Sequence, residues 1–344
     1  MHTSLIITSI APPNAVMEAF AKGCRENDIE FFVIGDAKSP KQFFIEGCKF
    51  VSIEEQKRLP FKLAKLLPEN HYSKKNIGYL LSKDKEVIIE TDDDNIPKEN
   101  FWKREDDLPL APQLEQQGWV NIYMFFYDFT FGEKIIWPRG LPMEKIYDFI
   151  IALNESVQKG ASLTKPINYE SIKIIQSLAD GNPDVDAVYR LTFPLPFYFD
   201  EGKKIALSKG AWCPFNSQNT TWFKEAFPLM YLPSYCSFRM TDIWRSFIAQ
   251  RIAWECGWNI LFESPTVIQE RNEHDLLKDF ADEMPGYQNN DRIKKSLEDL
   301  NLKSGEESIR ENLLRCYKVM TENKWIGNKE MELVEAWCEE IGLL

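Results

Sequence analysis

Apolar runs and apolar periodicities alternate through the first hundred residues. Leu5-Ile6-Ile7-Thr8-Ser9-Ile10 is short, apolar and β-branched, the pattern of a buried strand, and Pro12-Pro13 stop it. Val16 and Phe20, with Ala15 and Ala19, follow at helical spacing as far as Arg25. Ile29-Glu30-Phe31-Phe32-Val33-Ile34 predicts a second strand, closed by Gly35-Asp36. A strand, a helix and a strand in such quick succession predict the opening of a parallel α/β sheet with a right-handed crossover. Phe50-Val51 predicts a third short strand. Residues 53–67 and 74–81 predict helices, the first broken at Pro60. Glu86-Val87-Ile88-Ile89-Glu90 is the next strand; it runs into Thr91-Asp92-Asp93-Asp94-Asn95, and Pro97 prevents its continuation.

The pattern then loses its regularity. From about residue 101 to 238 the chain is rich in proline and aromatics, which predicts short strands and long loops. Met240 to Cys256 predicts an amphipathic helix ended by Gly257, and Trp258 to Phe262 a late strand. Beyond about residue 275 the chain turns charged and helical. Ser304-Gly305-Glu306-Glu307 fits a capping box. Ile309, Leu313, Tyr317 and Met320 form one apolar stripe, and Met331, Val334, Trp337, Cys338 and Ile341 a second. The expected organisation is a main domain over residues 1–275, with a helical region over 276–344 packed on it.

Composition narrows the function classes. The 344 residues carry 41 basic and 53 acidic side chains, a net charge of −12. A chain this acidic, without a Lys/Arg-rich block, is repelled by a polyphosphate backbone, so nucleic acid is not an expected partner. Apolar residues make up 44%, enough for a packed core. Seven cysteines lie far apart without a C-x-x-C pair, which suits reduced, buried thiols rather than a zinc site or disulfides. No apolar run approaches the ~20 residues of a membrane span, and no signal peptide is legible, so the expected location is the cytoplasm. The longest apolar candidate, 119–131, is interrupted by Asn121 and Asp128.

Candidate chemistry begins at the acidic run. In open α/β sheets ligands bind beyond the carboxyl ends of the strands. Asp92-Asp93-Asp94 follows an apolar strand, and carboxylates there can hold a hard divalent cation, Mg²⁺ or Mn²⁺. In extended backbone alternate residues share a face, so Asp92 and Asp94 are expected toward the ligand and Asp93 away from it. The plain alternative is a solvated acidic turn. Lys74-Lys75-Asn76 opens a helix whose amides and lysines suit a phosphate, or is simply a basic helix start. Trp212-Cys213-Pro214-Phe215-Asn216-Ser217-Gln218-Asn219-Thr220 mixes aromatic faces with amides and hydroxyls, as sugar binding requires, or is an ordinary polar loop. Arg239, Asp242 and Arg245 cluster at a helix start, where an aspartate often only compensates the dipole. His274 is a candidate metal ligand. No Walker A, G-x-G-x-x-G, G-x-S-x-G or H-E-x-x-H motif is present, which removes common nucleotide hydrolase, oxidoreductase, esterase and zinc-protease readings.

Five short motifs fall in order along the chain. They are Asn76-Ile77-Gly78-Tyr79-Leu80 with Ile89-Glu90-Thr91-Asp92-Asp93-Asp94-Asn95; Pro214-Phe215-Asn216-Ser217-Gln218-Asn219-Thr220; Ser237-Phe238-Arg239-Met240-Thr241-Asp242-Ile243-Trp244-Arg245; and Gln269-Glu270-Arg271-Asn272-Glu273-His274. Together they resemble the STELLO-like family of glycosyltransferase-related domains over residues 1–285. The plant members carry a membrane anchor, and this chain reads as a soluble, bacterial relative. The resemblance implies an α/β, GT-A-like nucleotide-sugar-binding domain with a mixed central sheet and a C-terminal helical extension, whose D-x-D motif holds a divalent metal. A more distant similarity to UDP-arabinopyranose mutases, with their comparable D-D-D signature, keeps a nucleotide-sugar mutase open, and scaffold-like relatives keep a non-catalytic module open.

The leading expectation is a metal-dependent glycosyltransferase using a UDP-sugar. On this reading Thr8, Ser9 and Asp36 frame the uridine, and Asp92 or Asp94 holds Mn²⁺ or Mg²⁺. Lys75, Asn76, Arg271 and His274 are secondary phosphate or metal contacts. Trp212, Asn216, Gln218 and Asn219 bind the sugar or the acceptor. Asp242 is the catalytic base of an inverting transfer, flanked by Arg239 and Arg245, which hold it ionised or bind phosphate or an acidic acceptor. The expected acceptor is a glycan, in lipopolysaccharide or capsule assembly, with peripheral contact to a membrane-linked acceptor. The first donor expected is a galactose, pyranose or furanose.

Overall fold

The computed structural model describes residues 2–103, 110–127, 135–148, 163–270 and 275–343. The apolar runs of the N-terminal half pair as parallel strands. β1 (Thr3–Thr8) lies between β2 (Ile29–Ile34) and β4 (Val87–Thr91), and β3 (Cys48–Val51) extends the edge beyond β2. Leu5, Ile6, Ile7, Val87 and Ile88 are fully buried, as expected for strands covered on both faces. The crossover helix Ala15–Glu26 is capped by Asn14, whose side chain accepts from the Met17 amide.

The second half makes the sheet mixed. β12 (Asn219–Phe223) runs antiparallel between β4 and β9 (Ile172–Gly181), and β13 (Asn259–Gln269) runs parallel to β9. β10 (Lys204–Leu207), β6 (Leu110–Leu114) and β8 (Leu163–Asn168) complete that side, and β5 (Asn95–Pro97) pairs with β13. The result is an eleven-stranded sheet among the described residues, beside a separate two-stranded pair formed by β7 (Gly118–Trp119) and β11 (Ala211–Trp212). Because β12 is antiparallel to both neighbours, β1, β2, β4, β9 and β13 all end on one edge. Thr8, Asp36, Asp92 and Gln269 therefore gather there from remote parts of the chain.

Three expectations need correction. β13 runs well past Phe262: Ser264-Pro265 falls in a ladder irregularity between Glu263 and Val267, after which pairing resumes. The helix Thr241–Glu255 is not amphipathic. Its residues Thr241–Trp254 are all buried, because the C-terminal helices cover the face that would otherwise meet water. The capping box also fails. Gly305, at φ 93°, stands at the N-cap and offers no side chain, Ser304 lies one residue too early, and the regular helix begins at Ile309.

The C-terminal helices Leu276–Glu298, Ile309–Glu322 and Glu330–Ile341 share one buried cluster with the sheet. Leu313, Tyr317 and Trp337 lie in it alongside Ile77, Trp222 and Phe247. Two glycines allow close approaches that position the cleft. A Cβ on Gly78 would stand 2.5 Å from Ile6 Cγ2, so the helix Lys75–Leu81 seats tightly on β1. A Cβ on Gly140, whose φ is +99°, would stand 2.6 Å from Ile243 Cγ2, fixing the neighbouring Arg139 against the helix Thr241–Glu255. Among the described residues no helix is long and apolar enough to cross a membrane.

Candidate active site

A cleft of two joined chambers opens at the carboxyl edge of β1, β2 and β4. The larger, about 570 Å³, is lined by Thr8, Ser9, Asp36, His71, Asp93 and Phe238 among others. The smaller, about 260 Å³, is walled by Asp92, Asp93 and Asp94 with Gln269, and opposite them by Arg139, Arg239 and Asp242. Thr8, Tyr72, Asp93 and Phe238 border both chambers.

The acidic wall is a turn. Extended backbone stops at Thr91, and the Asn95 amide returns to the Asp92 carbonyl at 3.4 Å. Strand alternation therefore does not govern these residues, and Asp93 does not face away: all three aspartates line the smaller chamber. Asp93 accepts from the Ser9 hydroxyl, and its carbonyl accepts from Asn14 Nδ2 at 3.0 Å. Asp94 receives Gln269 Nε2 at 3.3 Å on both oxygens. Asp92 Oδ1 receives Lys75 Nζ at 3.0 Å. Burial raises the Asp92 carboxyl to about 7, with Asp94 and Asp93 adding to it and Lys75 opposing.

On the opposite wall one guanidinium serves two carboxylates. Arg139 Nε and Nη2 donate to Asp184 at 2.8 and 2.9 Å; its Nη1 and Nη2 donate to Asp242 at 3.2 and 3.1 Å. Asn216 Nδ2 adds a bond to Asp184 at 2.9 Å. Burial opposes the charged form of Asp184, but Arg139, with Arg239 and Asn216, outweighs it and holds the carboxyl below its ordinary range. Asp242 also accepts the Ile243 amide at 3.0 Å and the Ser217 amide at 3.4 Å.

The structure thus gathers Thr8, Ser9, Asp36, Asp92, Asp94, Arg239 and Asp242 at one cleft. Thr8 Oγ1 is buried and has no hydrogen-bond partner among the described residues. Asp36 accepts the Ala37 amide at 2.7 Å and the His71 amide at 2.8 Å. Other expected residues occupy different places. Lys75 is fully buried beneath the turn, donating to the Thr91 and Ser217 carbonyls at 3.0 and 3.2 Å. Asn76 is buried too, and its amide exchanges two 2.9 Å bonds with the Leu232 backbone. Trp212 is a core residue whose Nε1 donates to Glu298 at 2.8 Å. Arg245 does not hold Asp242; it pairs with buried Glu90 at 2.8 Å, which Trp222 Nε1 also reaches at 2.8 Å. Arg239 pairs with Glu283 at 2.8 Å while still bordering the cleft.

Asn216 and Gln218 lie just behind the Arg139 wall. Asn219 faces a separate cavity, with its Nδ2 on the Leu178 carbonyl and Thr266 Oγ1. Arg271 and His274 lie outside the described residues. The sequence reading missed Arg139, Asp184, His71, Tyr72, Phe238 and Gln269. Phe238 and Gln269 lay inside recognised motifs, and His71 and Tyr72 only a few residues before the Lys74-Lys75 segment. Arg139 carried no signal beyond the turn-forming Pro138 and Gly140.

Comparison with known proteins gives this geometry a context. The model of the family described as STELLO glycosyltransferases matches residues 239–344, which include Arg239 and Asp242. Over 334 residues the chain is 27% identical to the probable glycosyltransferase STELLO2 of Arabidopsis thaliana, and over 333 residues 26% identical to STELLO1 of the same plant. In sequence the chain is thus similar to the STELLO glycosyltransferases. Each alignment covers 91% of this chain and 41% of the plant protein, so the chain spans about two fifths of the length of these relatives. Among solved structures, glucosyl-3-phosphoglycerate synthase of Mycobacterium tuberculosis, in complex with Mn²⁺, UDP-glucose and phosphoglyceric acid, superposes with a TM-score of 0.40. That match is 11% identical and covers 84% of this chain and 79% of the other. A superposition so distant assigns no role to any residue of this cleft.

Proposed function

We propose that this chain is the catalytic domain of a glycosyltransferase that takes a UDP-sugar with a divalent cation and transfers the sugar to a hydroxyl of a glycan. The observation that carries the reading is the Asp92–Asp94 turn at the end of β4, which lines one chamber with Asp242 beside a larger chamber at the ends of β1 and β2. Nucleoside and diphosphate differ in what they need. The larger chamber offers aromatic edges, Ser9 and Asp36, which suit a base and ribose. The smaller holds the carboxylates and two arginines, where a diphosphate and its cation belong.

The acidic turn fits a cation by its chemistry: its side-chain ligands are all carboxylate oxygens, as Mg²⁺ and Mn²⁺ prefer. No three acidic, His or Cys side chains among the described residues already converge as a finished site. Asp92 and Asp94 would hold the cation, which when bound neutralises charge on the departing diphosphate. On the other wall Asp242 is the base. An acceptor hydroxyl reaches it by replacing the longest of its bonds, the Ser217 amide at 3.4 Å. The carboxylate then takes the proton as the acceptor oxygen bonds to the anomeric carbon. The bond from that carbon to the UDP oxygen breaks, and UDP leaves with the electron pair. Arg139 fixes the carboxylate throughout.

A galactose donor, pyranose or furanose, is the first to test, with a surface-polysaccharide glycan as acceptor. The experiment is a panel of UDP-sugars, reading UDP release with and without Mn²⁺. The expected result is release from one donor that disappears on chelation. A protein that turns over and binds no UDP-sugar is not a glycosyltransferase of this kind.

A further inference from the structure

His71 has no role in the reaction above, yet its ring is held as a hydrogen-bond donor at the larger chamber. It is the N-cap of the short turn Tyr72–Lys74, and the Ser73 backbone N–H donates to His71 Nδ1 at 3.1 Å. A backbone N–H can only donate, so Nδ1 is the acceptor and the neutral ring carries its proton on Nε2. Ser73 Oγ stands 2.8 Å from the same nitrogen and receives Ser234 Oγ at 2.8 Å from behind. Ser234 is itself fixed, its amide donating to both oxygens of buried Glu330 at 3.0 Å. A chain of bonds thus runs from the C-terminal helix to the imidazole and sets its orientation. Burial pushes the ring below its ordinary value, although Asp36 opposes, which keeps it neutral.

The ring sits edge-on to exposed Phe238, with centroids 5.9 Å apart, and lines the chamber with Ser9, Asp36 and Tyr72. Among the described residues no protein group accepts from Nε2, which leaves this N–H able to donate to what enters the chamber. We propose that His71 reads the nucleobase: Nε2–H donates to the 4-oxo oxygen of uracil, so the site selects uridine over cytidine nucleotides. The inference rests on the cleft being a nucleotide-sugar site. Cytosine carries an amino donor where uracil carries that oxygen. Two donors would then face each other, and a desolvated donor left unmatched is costly.

Two substitutions separate the reading role from the capping role. His71→Asn places Oδ1 where Nδ1 stands, keeping the cap and removing the distant donor. His71→Gln places its amide nitrogen near Nε2, keeping the donor and losing the cap. Each protein is titrated with UDP and with CDP by calorimetry in the presence of Mn²⁺. Wild type is expected to prefer UDP by roughly tenfold or more. His71→Asn should bring that preference close to unity through lost UDP affinity, and His71→Gln should retain most of it. An unchanged preference in His71→Asn, or none in wild type, overturns the role of His71 while leaving the nucleotide site in place. A wild-type protein that binds neither nucleotide overturns the site itself, and this inference with it.

Discussion

The two acidic walls of the cleft differ in what meets their charge. Asp184 and Asp242 share one buried guanidinium, with four bonds of 2.8 to 3.2 Å, and amides complete the shell. Asp92 meets one buried lysine, the Asp93 carboxylate meets only the neutral Ser9 hydroxyl among the described residues, and the whole turn opens to the chamber. The first arrangement is finished without a ligand and holds its groups still. The second keeps a carboxyl raised to about 7 by burial and by its neighbours, a charge that an added cation would stabilise. Carboxylates at and just behind one cleft thus differ in whether the protein's own cation already meets their charge, and the difference is set by their partners.

The largest effect should come from breaking the finished wall. Arg139→Leu leaves two buried carboxylates without their cation and should lower unfolding free energy by about 3–5 kcal/mol in urea denaturation. A loss below about 1 kcal/mol would mean that both acids relax into solvent and that the wall is not rigid.

Asp242→Asn tests whether that wall also does chemistry. Transfer should fall by roughly 10²-fold or more while UDP and Mn²⁺ affinity stay nearly unchanged. Near-wild-type transfer, with only a slightly lower melting temperature, would leave Asp242 a helix-start residue and reopen a retaining route.

The smallest of these effects falls on the open wall. Asp94→Ala should weaken cation-dependent UDP binding by about tenfold or more, roughly 1.4 kcal/mol, with the melting temperature nearly unchanged. Asp93→Ala should now behave similarly, because Asp93 borders both chambers. A far milder Asp93 variant, seen by the same calorimetry, would restore the alternation argument that the turn geometry overturned.

How much of this was legible depends on distance along the chain. The parallel strands of the N-terminal half are apolar runs bounded by proline and glycine, so local pattern finds them and places Asp36 and Asp92 at their ends. Arg139 lies in a stretch without periodicity, and its partners Asp184 and Asp242 come from remote segments, so no local signal marks it. Motif residues proved informative in an unexpected way. Arg245 with Glu90 and Asn76 with Leu232 are buried bonds across 155 and 156 residues, and Trp212 with Glu298 is a partly buried one across 86. Those stretches mark how the fold closes as well as what it binds. The buried helix Thr241–Glu255 makes a related point. Its existence was readable, but its covered outer face depended on helices that come after it in sequence.

The claim that matters most is that a cation on the Asp92–Asp94 turn binds the diphosphate of a uridine nucleotide. Calorimetric titration of UDP into the wild-type protein, first with saturating Mn²⁺ and then after chelation, tests it directly. The expected result is binding at least about tenfold tighter with Mn²⁺. Equal affinity in both conditions, or no binding in either, would contradict it.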